Sequence, residues 1–263
     1  MTDQGVRFSR AIIRPPADSF ADGLTVSGLG APNLALARVQ HAQYCLALQR
    51  LGVTILPVPP ESAYPDSTFV EDTAVVTNHG AIMARPGASS RQGEVLAMRE
   101  VLESQYATVA EITAPGTLDG GDICQAGRHF FIGVSHRTNE EGACQLASWL
   151  ARFDYTSSVI SIRETRELLH LKSGIAYLGD KRLVVAESLA GHPALRGYEQ
   201  LVATAEETYA ANCVRVNDAV LMAAGFPALA DRVAAFGHEV LVLDVSEFRK
   251  MDGGLSCLSI RLP

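Results

Sequence analysis

The chain lacks any CxxC pair, and its five cysteines (Cys45, Cys124, Cys144, Cys213 and Cys257) are odd in number. Neither a disulfide framework nor a zinc ribbon is therefore the natural reading, and a reducing, cytoplasmic setting is expected. Basic charge is not in excess: 22 Lys and Arg against 29 Asp and Glu give a net charge of −7. This disfavours a nucleic-acid partner, whose phosphates need a basic surface, and leaves room for a cationic ligand. The longest apolar run, Ala219 to Ala230, is broken by Gly225 and Pro227, and the stretch from Met1 to Arg7 has no apolar centre. No membrane span and no secretory signal are expected. What is present is 48% hydrophobic and 19% charged residues over 263 positions, a globular composition with enough length to bury a core.

Local patterning predicts five helices, each followed by a short strand. The helices run from Asn33 to about Leu51, Arg91 to Ser104, Glu140 to Phe153, more weakly Pro193 to Gln200, and from Pro227 to just before Gly237. The strands are Val53 to Val58, Thr108 to Thr113, Val159 to Ile162, one near Leu201, and Val240 to Val245. After each strand comes a hairpin signal, as at Asn78-His79-Gly80, Gly127-Arg128, Gly179-Asp180 and Asn217-Asp218. A fifth hairpin would join Ser256–Leu262 to Arg7–Arg14 and so unite the two termini.

This is a repeat of about 45 residues, the signature of a solenoid, a propeller or a closed array. Asp72, Asp119, His170, Asn212 and Cys257 occupy matching places, 47, 51, 42 and 45 residues apart. The expected fold is a single α/β domain over 1–263. It would be a five-bladed propeller of ββαβ units with a central polar site, the alternative being an ordinary two-domain α/β enzyme.

Cys257 follows Gly253-Gly254 and precedes a strand pattern, an arrangement that presents a thiol as a nucleophile. His170 and the carboxylates Asp66, Glu71, Asp72 and Asp119 fall at other hairpin starts, and thiol, imidazole and carboxylate together are the set that nucleophilic catalysis needs. The surplus carboxylates suit a flat cation with several N–H donors. Arg91 and Arg137, each at a predicted helix N-terminus, would suit an anionic group such as an α-carboxylate.

Several motifs occur in one order: FVED (Phe69–Asp72), RPGA with SRxGE (Arg85–Glu94), LDGGD (Leu118–Asp122), SxRTN (Ser135–Asn139), LHLK (Leu169–Lys172), AANC (Ala210–Cys213) and DGGxSC (Asp252–Cys257). With these, the chain from about Phe8 to Leu262 resembles the dimethylarginine dimethylaminohydrolase family of the guanidino-modifying, pentein-fold superfamily.

The resemblance implies hydrolysis of Nω-methylated arginine to citrulline and a methylamine through a covalent thiouronium, without metal or organic cofactor. It implies Cys257 as nucleophile, His170 as proton donor and acceptor, and Asp119 as the orienting carboxylate. Asp72, with Asp66 and Glu71, would bind the guanidinium, and Arg91 and Arg137 the α-carboxylate. The carbonyls of Leu24, on a mobile lid near Asp22 to Gly30, and of Met251 would take the α-amino group. Asp119 departs from members that carry glutamate there. A homodimer is what the family suggests. An arginine deiminase or amidinotransferase of the same fold, and a non-catalytic binder of arginine derivatives, are the competing functions.

Overall fold

The computed structural model describes residues 6–263, so the first five residues of the domain expected over 1–263 lie outside the described residues. Fifteen strands form five three-stranded sheets of one design among the described residues. In each sheet an antiparallel hairpin is followed by a crossover, and a third strand then adds parallel to the hairpin's second strand. The first such sheet combines β3 (Ala74–Val76), β4 (Ala81–Met83) and β5 (Val109–Glu111). The second combines β6 (Ile123–Ala126), β7 (His129–Val134) and β8 (Thr156–Ser161). The third holds β9 (Ile175–Gly179), β10 (Arg182–Ala186) and β11 (Glu199–Ala203), and the fourth β12 (Val214–Val216), β13 (Ala219–Ala223) and β14 (Glu239–Leu243). In the fifth, β15 (Ile260–Leu262) pairs antiparallel with β1 (Arg10–Ile13), which pairs parallel with β2 (Thr54–Pro57). That sheet is the same unit with its hairpin turn cut by the chain ends.

The crossovers are helices where capping and spacing agree. Helix α1 (Leu34–Arg50) begins where the Asn33 side chain accepts from the Leu36 N–H at 3.1 Å, and it buries Ala37, Gln40, His41, Tyr44, Ala47 and Leu48 along one stripe. Helix α3 (Glu140–Arg152) is capped by Asn139 on the Gly142 N–H at 2.8 Å and buries Ala143, Leu146 and Leu150. Between them, α2 (Val95–Glu103) is shorter than predicted, because Ser89–Glu94 forms a 3-10 turn. Helix α4 (Pro227–Ala234) starts at its proline. The predicted helix from Pro193 to Gln200 is only a 3-10 turn, Pro193–Leu195, before β11. A four-residue helix, α5 (Ser246–Arg249), was not expected.

The buried apolar side chains fall into five clusters, each filling the space between two successive sheets. Ile12, Met83, Met98 and Leu262 lie between the fifth and first sheets, Ile82, Ile132 and Leu146 between the first and second, and Phe131, Ile160 and Leu183 between the second and third. Val184, Val220 and Leu229 continue the series, and Ile13, Tyr44, Leu48 and Leu221 return it to the sheet shared by both termini. The cycle of interfaces thus closes. No helix among the described residues is long and apolar enough to cross a membrane.

Each interface relies on close-packed side chains, so a large deletion at one should be felt globally. Phe131 is fully buried and meets His129 and Tyr198 edge-on. Phe131→Ala should cost about 3–5 kcal/mol, measured as a lowered midpoint in urea with the slope unchanged.

Candidate active site

Every unit enters its hairpin through a tight turn, and these turns carry the polar residues that were far apart in sequence. They are the 3-10 turns Val70–Thr73, Gly120–Asp122, Leu171–Ser173, Ala205–Ala211 and Ser256–Leu258. Asp72 lies within the first and Cys257 within the last, Asp119 and His170 immediately precede theirs, and Asn212 follows its own. The turns pack against one another in sequence, and Asn212 closes the cycle by bonding to Ser256.

One cavity of about 30 Å³ is lined by Leu24, Asp66, Phe69, Asp72, Arg91, Arg137, Leu169, His170, Met251, Asp252, Gly253 and Cys257. Eight of the ten residues singled out from sequence therefore meet here. Asp119 stands directly behind this wall, fully buried, with its Oδ2 3.0 Å from His170 Nε2 and its Oδ1 accepting from the Gly87 N–H at 2.8 Å.

Glu71 is the exception. Its carboxylate points away from Cys257 and bonds Ser256 Oγ at 2.6 Å, Lys172 Nζ at 2.5 Å and Arg261 Nη2 at 3.1 Å. It lines a second, larger cavity of about 170 Å³, which contains none of Cys257, His170 or Asp72. The expectation that Glu71 faces the guanidinium is corrected here: in so tight a turn its neighbour Asp72 takes the inward direction.

The two glycines before Cys257 are there for space and not for backbone conformation. Neither adopts positive φ, which falls instead on Asp252 at 58°. They are required by close approach, since a Cβ on Gly253 would lie 2.2 Å from the Phe69 ring and one on Gly254 2.4 Å from Asn212 Oδ1. Cys257 is 9% exposed, and its Sγ receives the Gly254 N–H at 3.5 Å.

Arg91 lines the cavity, but its guanidinium is already engaged. It reaches Asp72 at 2.6 Å, Glu94 at 2.8 Å, and the carbonyls of Asp66 and Phe69. The Arg137 side chain has no such ion pair among the described residues. Asp66 uses both oxygens, each 3.1 Å from the Leu24 N–H, and Asp252 accepts from the Val26 N–H at 2.6 Å. Thr25 and Ser27 donate to the Lys250 carbonyl at 2.8 and 2.7 Å, so residues 24–27 are latched over the cavity.

Charge dominates the site's chemistry. Burial alone would lower the His170 pKa, but Asp72, the hydrogen bond to Asp119, and Asp122 raise it to about 9. The ring is therefore an imidazolium at neutral pH. Burial also acts to raise the Asp72 carboxyl, yet His170 and Arg91 outweigh it and hold Asp72 well below the ordinary range. Cys257 is pushed up to about 12, first by burial and then by Glu71 and Asp72. The resting pair is a neutral thiol and a charged imidazole.

Asp72, Asp119 and His170 offer ligand atoms within 4.8 Å of one another. All three already have partners: Asp72 holds Arg91 and the Gly121 N–H, Asp119 holds the Gly87 N–H, and His170 Nε2 is given to Asp119, an arrangement suited to holding a proton on the ring. Asp122, not singled out as a site residue from sequence, supports it from behind. It accepts from the Leu171 N–H at 2.9 Å and Ser135 Oγ at 2.7 Å, and burial raises its pKa to about 6. Its presence in the LDGGD motif was the available signal. Asp252 was likewise missed, although it opens the DGGxSC motif.

A fivefold array of like three-stranded units, with thiol, imidazole and carboxylates gathered where its hairpin turns meet, defines a guanidino-modifying thiol enzyme of the arginine deiminase type. The family model described as arginine deiminase matches residues 62–222. The chain is 44% identical over 97% of its length to the N(G),N(G)-dimethylarginine dimethylaminohydrolase of Pseudomonas aeruginosa, of which it covers 99%. It is 34% identical to that of Streptomyces coelicolor, covering 96% of each. A solved structure of the Pseudomonas aeruginosa enzyme, a cysteine-to-serine variant complexed with citrulline, superposes with a TM-score of 0.95 at 43% identity over 98% of this chain and all of that one. The chain belongs to the dimethylarginine dimethylaminohydrolase family.

The raised thiol pKa generates a test. A neutral alkylating agent such as iodoacetamide should modify Cys257 slowly at pH 7, its rate climbing about tenfold per pH unit across pH 7–10 because only the thiolate reacts. A cationic haloacetamidine, which brings its own positive charge to the sulfur, should react rapidly at pH 7. Equal neutral-pH rates for the two reagents would contradict this charge assignment.

Proposed function

We propose that this chain hydrolyses Nω-methylated L-arginine to L-citrulline and a methylamine through a covalent S-alkylthiouronium on Cys257. The observation that carries the reading is the convergence of Cys257, His170 and Asp72 on one cavity whose wall also bears Arg91 and Arg137. The citrulline held by the relative's cysteine-to-serine variant supports both the product and a thiol nucleophile.

In this mechanism the guanidinium binds against Asp72 and Asp66, and its charge offsets the acids that keep the thiol protonated. The thiol releases its proton to solvent, and the thiolate attacks the guanidinium carbon. His170, already protonated, gives its proton to the departing amine as the C–N bond breaks, leaving the thiouronium and a neutral imidazole. That imidazole deprotonates a water, which adds to the same carbon. Collapse expels the Cys257 thiolate as the adduct's hydroxyl gives up its proton, which restores the thiol through solvent, and frees citrulline. Asp119 holds the ring in place and stabilises its charged form without touching the substrate.

Arg137 and Arg91 would meet the α-carboxylate, Arg137 with no ion pair among the described residues and Arg91 with much of its charge spent on Asp72 and Glu94. The carbonyls of Leu24 and Met251 would take the α-amino group. A cavity of about 30 Å³ is roughly the share of one water, whereas ligand sites of this kind occupy on the order of 300 Å³ or more. Residues 24–27 must therefore release Asp66 and Asp252 for substrate to enter. The five interfaces closing on themselves support a five-bladed α/β propeller forming one catalytic domain, and five free thiols fit a reducing cytoplasm.

Incubation with asymmetric dimethylarginine should release dimethylamine and citrulline in equal amounts. Ammonia from unmodified arginine, without methylamine from any methylated form, would select the deiminase reading instead. Cys257→Ser should be nearly inactive. His170→Ala should still bind substrate while losing about 10²–10⁴-fold in kcat, followed by citrulline formation and by ligand titration.

A further inference from the structure

The reacting side chains are only half of each turn that carries them. In a 3-10 turn with three residues per revolution, a side chain facing one cavity puts its neighbour on another side. Glu71 precedes Asp72, Ser256 precedes Cys257, and Lys172 follows His170 by two. These three turn away from the reaction cavity and meet one another on its far side, in the wall of the larger cavity.

The bonds among them form one connected set. Ser256 Oγ donates to Glu71 Oε2 at 2.6 Å, and the Ser256 N–H donates to Asn212 Oδ1 at 3.0 Å. The Asn212 amide donates to Ser256 Oγ at 3.0 Å and to the Lys172 carbonyl at 2.8 Å. Lys172 Nζ and Arg261 then hold the other Glu71 oxygen. Ser256 is 3% exposed, Glu71 4% and Asn212 6%, so water competes little for these bonds. The segments bearing Asp72, His170 and Cys257 are thus tied together at a point that substrate does not reach.

We infer that Glu71, Ser256 and Asn212 form a brace that positions the nucleophile relative to the imidazole, and that its members are positioning residues rather than substrate ligands. The peptide before Cys257 is fixed at both its N–H and its hydroxyl, which leaves the sulfur little freedom to drift from the line of attack. Displacement of a reacting group by about 1 Å costs on the order of 100-fold in rate, even when the change lies outside the chemistry. The inference rests on the hydrolase reading for its turnover measurements and on geometry alone for its thiol measurements.

Two substitutions separate position from charge. Ser256→Ala removes the tie and keeps the Glu71 charge. It should lower kcat for dimethylarginine about 100-fold with KM within about twofold, slow inactivation by a haloacetamidine in parallel, and leave the pH midpoint of iodoacetamide labelling unchanged. Ser256→Thr, which keeps the hydroxyl, should recover most of the loss.

Glu71→Gln removes a negative charge that disfavours the thiolate. It should lower the labelling midpoint, speeding iodoacetamide at pH 7, while turnover falls. Unfolding midpoints close to the parent's accompany these results. A parental kcat in Ser256→Ala would overturn the inference. So would a loss confined to KM, or a loss that threonine does not recover and that tracks a fallen unfolding midpoint. If the parent releases no methylamine from any methylarginine, the hydrolase reading fails separately. The haloacetamidine and iodoacetamide rates of parent and variants still decide the brace.

Discussion

Uncompensated negative charge around a buried sulfur is the constraint from which the other features of this site follow. Asp66, Asp72, Asp119, Asp122 and Glu94 are all buried within or just behind one small cavity; Arg91 and His170 stand among them, and the buried Arg14 acts on Glu94 from behind. Burial makes each charge expensive unless it is paired. The pairing found here uses Arg91 for Asp72 and Glu94, and an imidazolium for Asp72 and Asp119. Burial raises the pKa of Glu94 and of Asp122, and on the cavity wall Asp66 meets the Leu24 N–H but no ion-pair partner among the described residues, which leaves room for a further cation. In the proposed mechanism an arginine-derived guanidinium supplies that cation, and its arrival makes a thiolate attainable.

The same charge balance fixes the order of proton transfers. A thiol at about 12 next to an imidazole at about 9 is the reverse of a protease-like thiolate–imidazolium pair made in advance. Here the imidazolium exists before substrate binds, and the thiolate does not. In the proposed mechanism His170 therefore acts first as an acid toward the leaving amine and becomes a base only after that proton is spent. Water alone brings no positive charge to the sulfur, so in the empty site the thiol is expected to react only slowly with neutral electrophiles at neutral pH.

Much of the fold was legible because it is governed by local rules. Asn33 and Asn139 cap helices where the sequence placed them, and the turns at Asn217-Asp218 and Gly127-Arg128 close hairpins of the expected strands. The spacing of Asp72, Asp119, His170, Asn212 and Cys257 located the five entering turns. What was not legible is which way a residue faces inside such a turn. Glu71 and Asp72 are adjacent acids in one motif, and only the packing of Val70–Thr73 against Ser256–Leu258 decides that Asp72 faces the reaction while Glu71 faces Ser256. The segment after Pro193 failed for a related reason. Its few apolar residues serve a 3-10 connection, and β11, the strand expected near Leu201, takes the rest by pairing with β10 from Glu199 onward.

The latch over the site ties entry to the same electrostatics. Asp66 holds the Leu24 N–H with both oxygens, yet burial raises its pKa against the pull of Arg91, that N–H and Arg137. It is a carboxylate under tension: paired with a backbone amide when the cavity is empty, and better paired with a cation when one is present. In the proposed binding mode a guanidinium entering toward Asp72 offers that cation, and in doing so it competes with the lid for Asp66. Its α-carboxylate and α-amino group would then take Arg137 and the carbonyls of Leu24 and Met251 as partners. A ligand that supplies the cation but not the amino-acid end would open the latch without rebuilding it. Recognition of both ends is thus required by the closure itself, and follows from one aspartate serving two partners in turn.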